Sequence, residues 1–360
     1  MSTNKKKNFS PLQFLHLEQR PAWWLSRLHE IDSIVNSVKI GEHQILLKKE
    51  NQHCVHALLY GVKNLSEPIL PWSPAASSGD PELYKSSGYS PQRIMLISGI
   101  HGAEPEGVVA NLNLISLLEN GVDLRGKERP KLVDLLNSYQ VAIIPCLNPD
   151  GRNISPDHLR GASMEEFRAA SQGVWDSGIC IEWQESKRYF PLPLDKVQHP
   201  GGYPNEDGYN IMHDCAPGNL RTSEAKAILQ FTEKYQPDFI LNLHSCEFHP
   251  FLMASALDYP HNVRRNLSLM KKVFNVLNNA GLLEENAEFH SNLSNTININ
   301  TAMMLNSGAL TSIFESTTCF GDFEQILEAH YLLFETVLED GLKERFSPRT
   351  EIVKEKINYL

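Results

Sequence analysis

Four short apolar runs, near 93–98, 140–146, 238–243 and 309–314, alternate with stretches of helical periodicity near 105–119, 223–235 and 322–339. Buried strands that alternate with helices must lie side by side with crossovers on both faces. The expected fold is therefore α/β, a mixed, mostly parallel central sheet flanked by helices. A further helix is expected over 262–280, where Val263, Leu267, Met270, Val273 and Leu277 share one face. In sheets of this kind, chemistry sits in the crevice at the carboxyl ends of the strands.

Three strand ends carry groups suited to that crevice. RIMLI, Arg93–Ile97, is broken by SGIHG, and the apolar pattern resumes at Val108 and Val109. His101 and Glu104 thus fall at a strand end and helix start. Flanking glycines permit a tight turn there, and Pro105 suits a helix's first turn. A helix N-terminus also favours an ionised Glu104. Downstream, Ser223–Tyr235 reads as a helix with Ser223 as its cap, then Pro237, then the strand Asp238–Leu243 with His244 next. Two imidazoles and one carboxylate form a donor set that holds Zn²⁺ and leaves a coordination position open, so one zinc ion per chain is expected at His101, Glu104 and His244. Glu247 and His249 are nearby rivals as ligands or orienting groups. Glu315, at the end of the buried run Leu310–Phe314, is a candidate base.

These segments resemble the zinc carboxypeptidase family, the M14 metallopeptidases. HGAEPEG (His101–Gly107) is similar to the family's first ligand motif, NPDG (Asn148–Gly151) to a loop after a core strand, LHS (Leu243–Ser245) to the last ligand segment, and IFES (Ile313–Ser316) to the segment with the catalytic glutamate. The four occur in family order and cover about residues 90–335. The resemblance implies a zinc-dependent hydrolase of peptides or peptide-like amides, with Glu315 as general base toward the attacking water and proton donor to the leaving nitrogen.

The departures concern substrate. The family's Asn-Arg pair holds a C-terminal carboxylate. The nearest match here, Asn210 in DGYNIMHD, is a substrate-binding candidate, but Ile211 follows it where arginine is expected. Losing a paired-donor fork removes a principal basis for exopeptidase selectivity. An N-acyl-amino-acid or peptidoglycan-fragment amidase is therefore an alternative, as is a non-catalytic zinc- or ligand-binding protein. Arg160, following NPDG, is the expected oxyanion-stabilising arginine, with Arg152 and Arg168 as rivals. The family's covering tyrosine has no counterpart, because no tyrosine occurs between Tyr259 and Tyr331. Phe289, His290 or Asn292 is expected to border the pocket instead, with His290 as a substrate-binding donor on a loop.

A formal charge of −10 argues against a nucleic-acid partner, since the only basic run is the terminal Lys5–Lys7. No apolar stretch spans a membrane and the start lacks a signal-peptide h-region, so a cytoplasmic protein is expected. Six cysteines without metal-knuckle spacing fit reduced thiols. Cys246 is a possible metal competitor through its soft sulfur. The 360 residues divide into an extension (1–90) packed on a catalytic domain (91–345) and a tail (346–360). The extension is expected to hold an amphipathic helix around 22–35, edge strands or a hairpin over 43–62, and a Pro/Ser/Gly-rich stretch at 68–91. The irregular connection 147–222 is expected to build part of the pocket. The sequence leaves the oligomeric state open.

Overall fold

The computed structural model describes residues 9, 12–14, 16–62, 91–216, 218–257, 260–294, 296–319 and 321–346. Lys5–Lys7, residues 68–90 of the Pro/Ser/Gly-rich stretch and residues 347–360 of the tail lie outside them. The strands are β1 (Glu42–Lys48), β2 (Cys54–Tyr60), β3 (Arg93–Ser98), β4 (Gln140–Ile144), β5 (Val174–Trp175), β6 (Val197–His199), β7 (Phe239–Cys246), β8 (Phe251–Ala254), β9 (Asn292–Leu293) and β10 (Leu310–Thr317). The helices are α1 (Leu28–Ser37), α2 (Glu106–Asn120), α3 (Pro130–Asn137), α4 (Pro149–Ile154), α5 (Met164–Ser171), α6 (Trp183–Arg188), α7 (Ser223–Tyr235), α8 (Pro260–Asn279), α9 (Ile299–Ser307) and α10 (Phe323–Lys343).

Eight strands form one sheet in the order β1-β2-β4-β3-β7-β10-β8-β9. The central neighbours β4, β3, β7 and β10 pair in parallel, whereas β1, β2 and β8 join antiparallel. Strand alternation sends successive side chains to two separate cores. Leu58, Ile94, Leu96, Val141, Phe239, Leu241, Leu243 and Phe314 face a core completed by α1, α2, α3, α8 and α10. Their in-between neighbours Ala57, Met95, Ile97, Ala142, Ile240 and Ile313 face the other, closed by Ala225, Ile228 and Phe231 of α7 and by Ile299 and Met303 of α9. Full burial of each such Leu, Ile or Phe contributes about 1.5–3 kcal/mol, which is what holds the helices on both faces.

The described part of the extension is built into this sheet. The hairpin β1–β2 pairs with β4 through Leu58↔Ile143 and its neighbours, while Ile31 and Val35 of α1 enter the larger core. The expected helix around 22–35 begins only at Leu28. Trp24 is fully buried ahead of it against Phe323, with its indole N–H donating to the Asp157 carbonyl at 3.2 Å.

Two strands run further than the apolar pattern suggests. His244 and Glu315 lie within β7 and β10 rather than beyond them, because parallel pairing continues through Glu315↔His244 and Thr317↔Cys246. After the stretch around His290, expected as a loop, the chain forms α9. Asn298 caps that helix by accepting from Asn300 N and Thr301 N, and Ile299 and Met303 are buried at helical spacing. The cap of α7 is Thr222, one residue before the expected Ser223; its hydroxyl accepts from Ala225 N.

Candidate metal centre

Register places the site. Parallel partners project to the same face, so Glu315 on β10 and His244 on β7 stand side by side on the α7/α9 face of the sheet. One strand over, Ser98 of β3 pairs with Leu243, which brings the turn after β3 to the same sheet end. That turn needs glycine. A Cβ on Gly102 would lie 2.0 Å from the Gly151 carbonyl carbon and 2.1 Å from Arg152 N, both backbone atoms of α4. The Gly102 N–H donates to Gly202 O at 2.6 Å, so the turn carrying His101 and Glu104 is wedged between the NPDG helix and the 200–205 segment. Gly107 does the same for α2, since its Cβ would sit 2.5 Å from Leu243 Cβ.

His101, Glu104 and His244 converge, all buried, with their ligand atoms within 4.8 Å of one another. Glu104 Oε1 lies 2.9 Å from His101 Nδ1, and Oε2 lies 2.9 Å from His244 Nδ1. Burial pushes the Glu104 carboxyl up, but the two imidazoles outweigh it and hold the group at about 2, ionised. Asn210 Oδ1 accepts from Met212 N at 3.0 Å and lies 3.2 Å from His101 Nε2. An oxygen there calls for a proton on Nε2, which leaves the Nδ1 electron pair directed into the triad. Two imidazoles and an ionised carboxylate around one point, with orientation fixed from behind, fit Zn²⁺ and its preference for an N/O set with an open position. Among the described residues, no other group of three such side chains is assembled.

Asn210 therefore stands behind His101, with its carboxamide oxygen already engaged. Asn210→Ala is expected to weaken zinc binding by about 10–100-fold, the usual cost of losing the partner of a ligating histidine. Competition against a chromogenic chelator measures this, and an affinity within twofold of the parent would remove Asn210 from the role.

Glu315 lies beside this triad. Burial pushes its carboxyl up to about 7; His244 opposes the shift, while Glu104 and Glu247 add to it. Burial likewise raises Glu106 to about 7, although Ser245 Oγ and Thr318 Oγ1 donate to it at 2.6 and 2.8 Å. Glu106 thereby ties the first turn of α2 to the ends of β7 and β10. The Cys246 thiol is also raised, chiefly by burial, which disfavours the thiolate a metal competitor needs.

Other expected residues have partners of their own. Arg160 Nη2 donates to Glu18 Oε1 at 3.0 Å and the guanidinium lies over the Phe323 ring at 5.3 Å, while its buried Nε and Nη1 have no hydrogen-bond partner among the described residues. Arg152 is buried with Nη2 donating to the carbonyls of Ser155 and Pro156, and Arg168 pairs with Glu182. His290 is exposed and lines a cavity of about 320 Å³ with Phe248, Phe251, Phe274 and Phe289, and no triad residue borders it. His249 lines the same cavity. Ile211 is fully buried in the smaller core.

Two neighbours escaped the sequence reading. The Tyr203 ring stacks on His101 at a centroid distance of 4.0 Å and 20°. Burial and the surrounding carboxylates raise that phenol well above its ordinary value, so it stays protonated. His213 is lowered to about 4 by burial, with the charges of His101 and Lys187 adding to the shift. An aromatic residue inside GGYPNEDG was the available signal for Tyr203; nothing in the sequence marked His213.

A search of the curated proteins finds no match to this sequence. Solved structures share the fold. A metallo-carboxypeptidase from Burkholderia cenocepacia superposes with a TM-score of 0.52 at 12% identity, covering 87% of this chain and 68% of that one. A metallo-carboxypeptidase from Pseudomonas aeruginosa, solved with (2-guanidinoethylmercapto)succinic acid, gives 0.52 at 11%, covering 88% and 68%. The family model described as zinc carboxypeptidase matches residues 78–313, ending two residues before Glu315. That match spans well over half of the sequence, and the chain belongs to the zinc carboxypeptidase family.

Proposed function

We propose that this protein is a zinc-dependent hydrolase of a peptide or peptide-like amide, with His101, Glu104 and His244 holding the ion and Glu315 as the base. The observation that carries this reading is the Glu315↔His244 pairing of β10 with β7, which sets a base beside a buried two-histidine, one-carboxylate cluster. Zinc at such a cluster supplies Lewis acidity, making a water easier to deprotonate and a carbonyl easier to attack. Glu315 accepts the water proton as the C–O bond forms, then delivers it to the nitrogen as the C–N bond breaks. Asn210 holds the His101 ring, and Glu106 holds the strand ends on which His244 and Glu315 stand. All six cysteines are free, which suits the cytoplasm proposed as its compartment. Among the described residues no helix is long and apolar enough to cross a membrane.

The substrate reading rests on Ile211. With its side chain in the core, that position offers no grip for a free carboxylate, so an N-acyl-amino-acid, short-peptide or peptidoglycan-derived amide is favoured. A second reading has one specific observation behind it. Lys187 lies over the Trp183 ring at 4.2 Å and makes no ion pair among the described residues, and the edge of Trp183 meets Tyr203, which stacks on His101. An unpaired cation there suits a substrate carboxylate.

Zinc-reconstituted protein is expected to carry one ion per chain by elemental analysis, and His101→Ala or His244→Ala to lose it. Full zinc retention in both variants would sink the ligand assignment. Paired substrates ending in a free acid or its amide then separate the two readings: comparable kcat/KM supports the amidase, whereas a large preference for the acid that Lys187→Met abolishes supports the carboxylate grip.

A further inference from the structure

The sheet edge beyond the strand of Glu315 borders an aromatic cavity. β10 pairs with β8 antiparallel through Glu315↔Phe251, and β8 pairs with β9 through Met253↔Asn292. Directly opposed residues of an antiparallel pair hold their Cβ atoms about 4.5–5.5 Å apart, so Phe251 stands next to the base. Phe251 is also a wall of the cavity of about 320 Å³. Phe248 and His249, two more walls, lie in the short connection that joins β8 to the strand of His244. Phe274 of α8 and Phe289 complete the ring of walls, edge to face at 5.7 Å and 68°.

None of these four phenylalanines is buried; Phe248 is 58% exposed and Phe289 36%. Phenylalanine normally goes inside, and several rings left open around one hollow mark a binding site. Among the described residues no lysine or arginine lines the cavity, and Glu288 is its one carboxylate, so an anionic group is disfavoured there. A cavity of about 150 Å³ takes a benzene ring, so this one has room for an aryl group or a short alkyl chain.

We propose that the cavity is a specificity site that takes an apolar aryl or alkyl group of the substrate whose amide lies at the metal centre. The inference rests on the hydrolase reading above. A substrate at Glu315 has only β8 to cross before it meets the rings, and the connection that borders them starts three residues after His244. The other end of the site differs in polarity. There Tyr203 stacks on His101, Trp183 meets Tyr203, and Lys187 lies over Trp183. An amide with a polar group on one side and an apolar group on the other matches both ends.

Three N-acyl-amino acids test this by turnover. Acetyl-alanine is the reference, phenylacetyl-alanine carries a ring on the acyl side, and acetyl-phenylalanine carries it on the amine side. The zinc-loaded parent is expected to favour one ring-bearing compound over the reference by about 10–100-fold in kcat/KM, the range expected from burying one ring. Phe248→Ser and Phe289→Ser should each cut that preference at least fivefold, and the compound affected identifies the side of the amide that enters the cavity. Para-fluorobenzyl alcohol, followed by fluorine NMR, probes the cavity without turnover, and its affinity should fall at least fivefold in both variants. If the parent hydrolyses none of the three, the hydrolase reading is what fails, and the alcohol alone decides whether the cavity takes an apolar group. Values of kcat/KM within threefold for all three compounds, a preference that both variants keep, or equal alcohol affinity in parent and variants would each overturn the proposal. So would a parent that sediments as a dimer beside a Phe289→Ser variant that sediments as a monomer, because the rings would then form an interface between copies.

Discussion

Glu315→Gln is expected to lower kcat by about 10²–10⁴-fold with zinc still bound at one ion per chain, because glutamine keeps the shape of the side chain but neither accepts nor returns a proton. The magnitude follows from a single general base that serves both halves of the reaction. Elemental analysis beside steady-state kinetics checks both parts, and turnover within tenfold of the parent would force a different base. The same variant has a signature in metal-free protein. Glu315 is raised from 4.5 to about 7 in the folded chain, chiefly by burial. Its contribution to stability is full below about pH 4.5 and is lost as pH rises through 7, since the unfolded chain ionises first. Metal-free Glu315→Gln should therefore melt above the metal-free parent at pH 8 and close to it at pH 4. Equal melting temperatures at both pH values would place the carboxyl in water.

The largest effect on stability is expected outside the triad, at Lys49. Lys49 is 8% exposed, and its ammonium bridges Asp150 of the NPDG helix and Glu224 of α7, the latter at 2.6 Å. Burial alone would lower its pKa, but Glu224 and Asp150 outweigh that and raise it. Asp150 also receives Asn51 Nδ2 at 2.9 Å and lies 2.7 Å from His53 Nδ1. Lys49→Met leaves buried carboxylates without their cation, which costs about 3–5 kcal/mol, a large fraction of the stability of an ordinary protein. A chemical denaturation midpoint at pH 7.5 reads this directly, and a loss below about 1 kcal/mol would mean that the network is solvated and weak. Burial opposes, but His53 and Lys49 prevail in lowering the Asp150 pKa, so its contribution in the parent is complete above about pH 4 and fades as pH falls further. Acid titration should separate parent from variant above pH 4 and bring them together below it. Because Asp150 sits one residue before Gly151, against which Gly102 packs, the variant should also bind zinc more weakly.

The positions of His101, Glu104, His244 and Glu315 were legible because strand ends are written locally: an apolar run of alternating destination, then a glycine turn or a polar break. Period-two alternation even assigns His244 and Glu315 to one face of the sheet, in phase with Ile240 and Ile313. Alternation does not say which strands are neighbours. The order β4-β3-β7-β10 arises from packing helices on both faces, and only that order turns sequence separations of 140 and 71 residues into adjacency at the triad. The irregular stretch 147–222 was expected to build part of the pocket, yet its contents were not readable. Tyr203 meets His101, and Asn210 turns its oxygen to the same ring, through turns held by Asn148 and by backbone hydrogen bonds rather than by any periodic pattern. Ile211 shows the limit from the other side: the sequence revealed the absence of arginine, but only the core revealed that the side chain faces away from the site. Nothing in the sequence singles out Lys49, because a lysine is buried only where partners on other elements offset its desolvation. Local chemistry thus picked out the candidate ligands and the principal strands and helices, though not the exact ends of those elements. The tertiary structure decided which loops stand behind the ligands, since contacts between distant aperiodic segments depend on the packed sheet that brings them together.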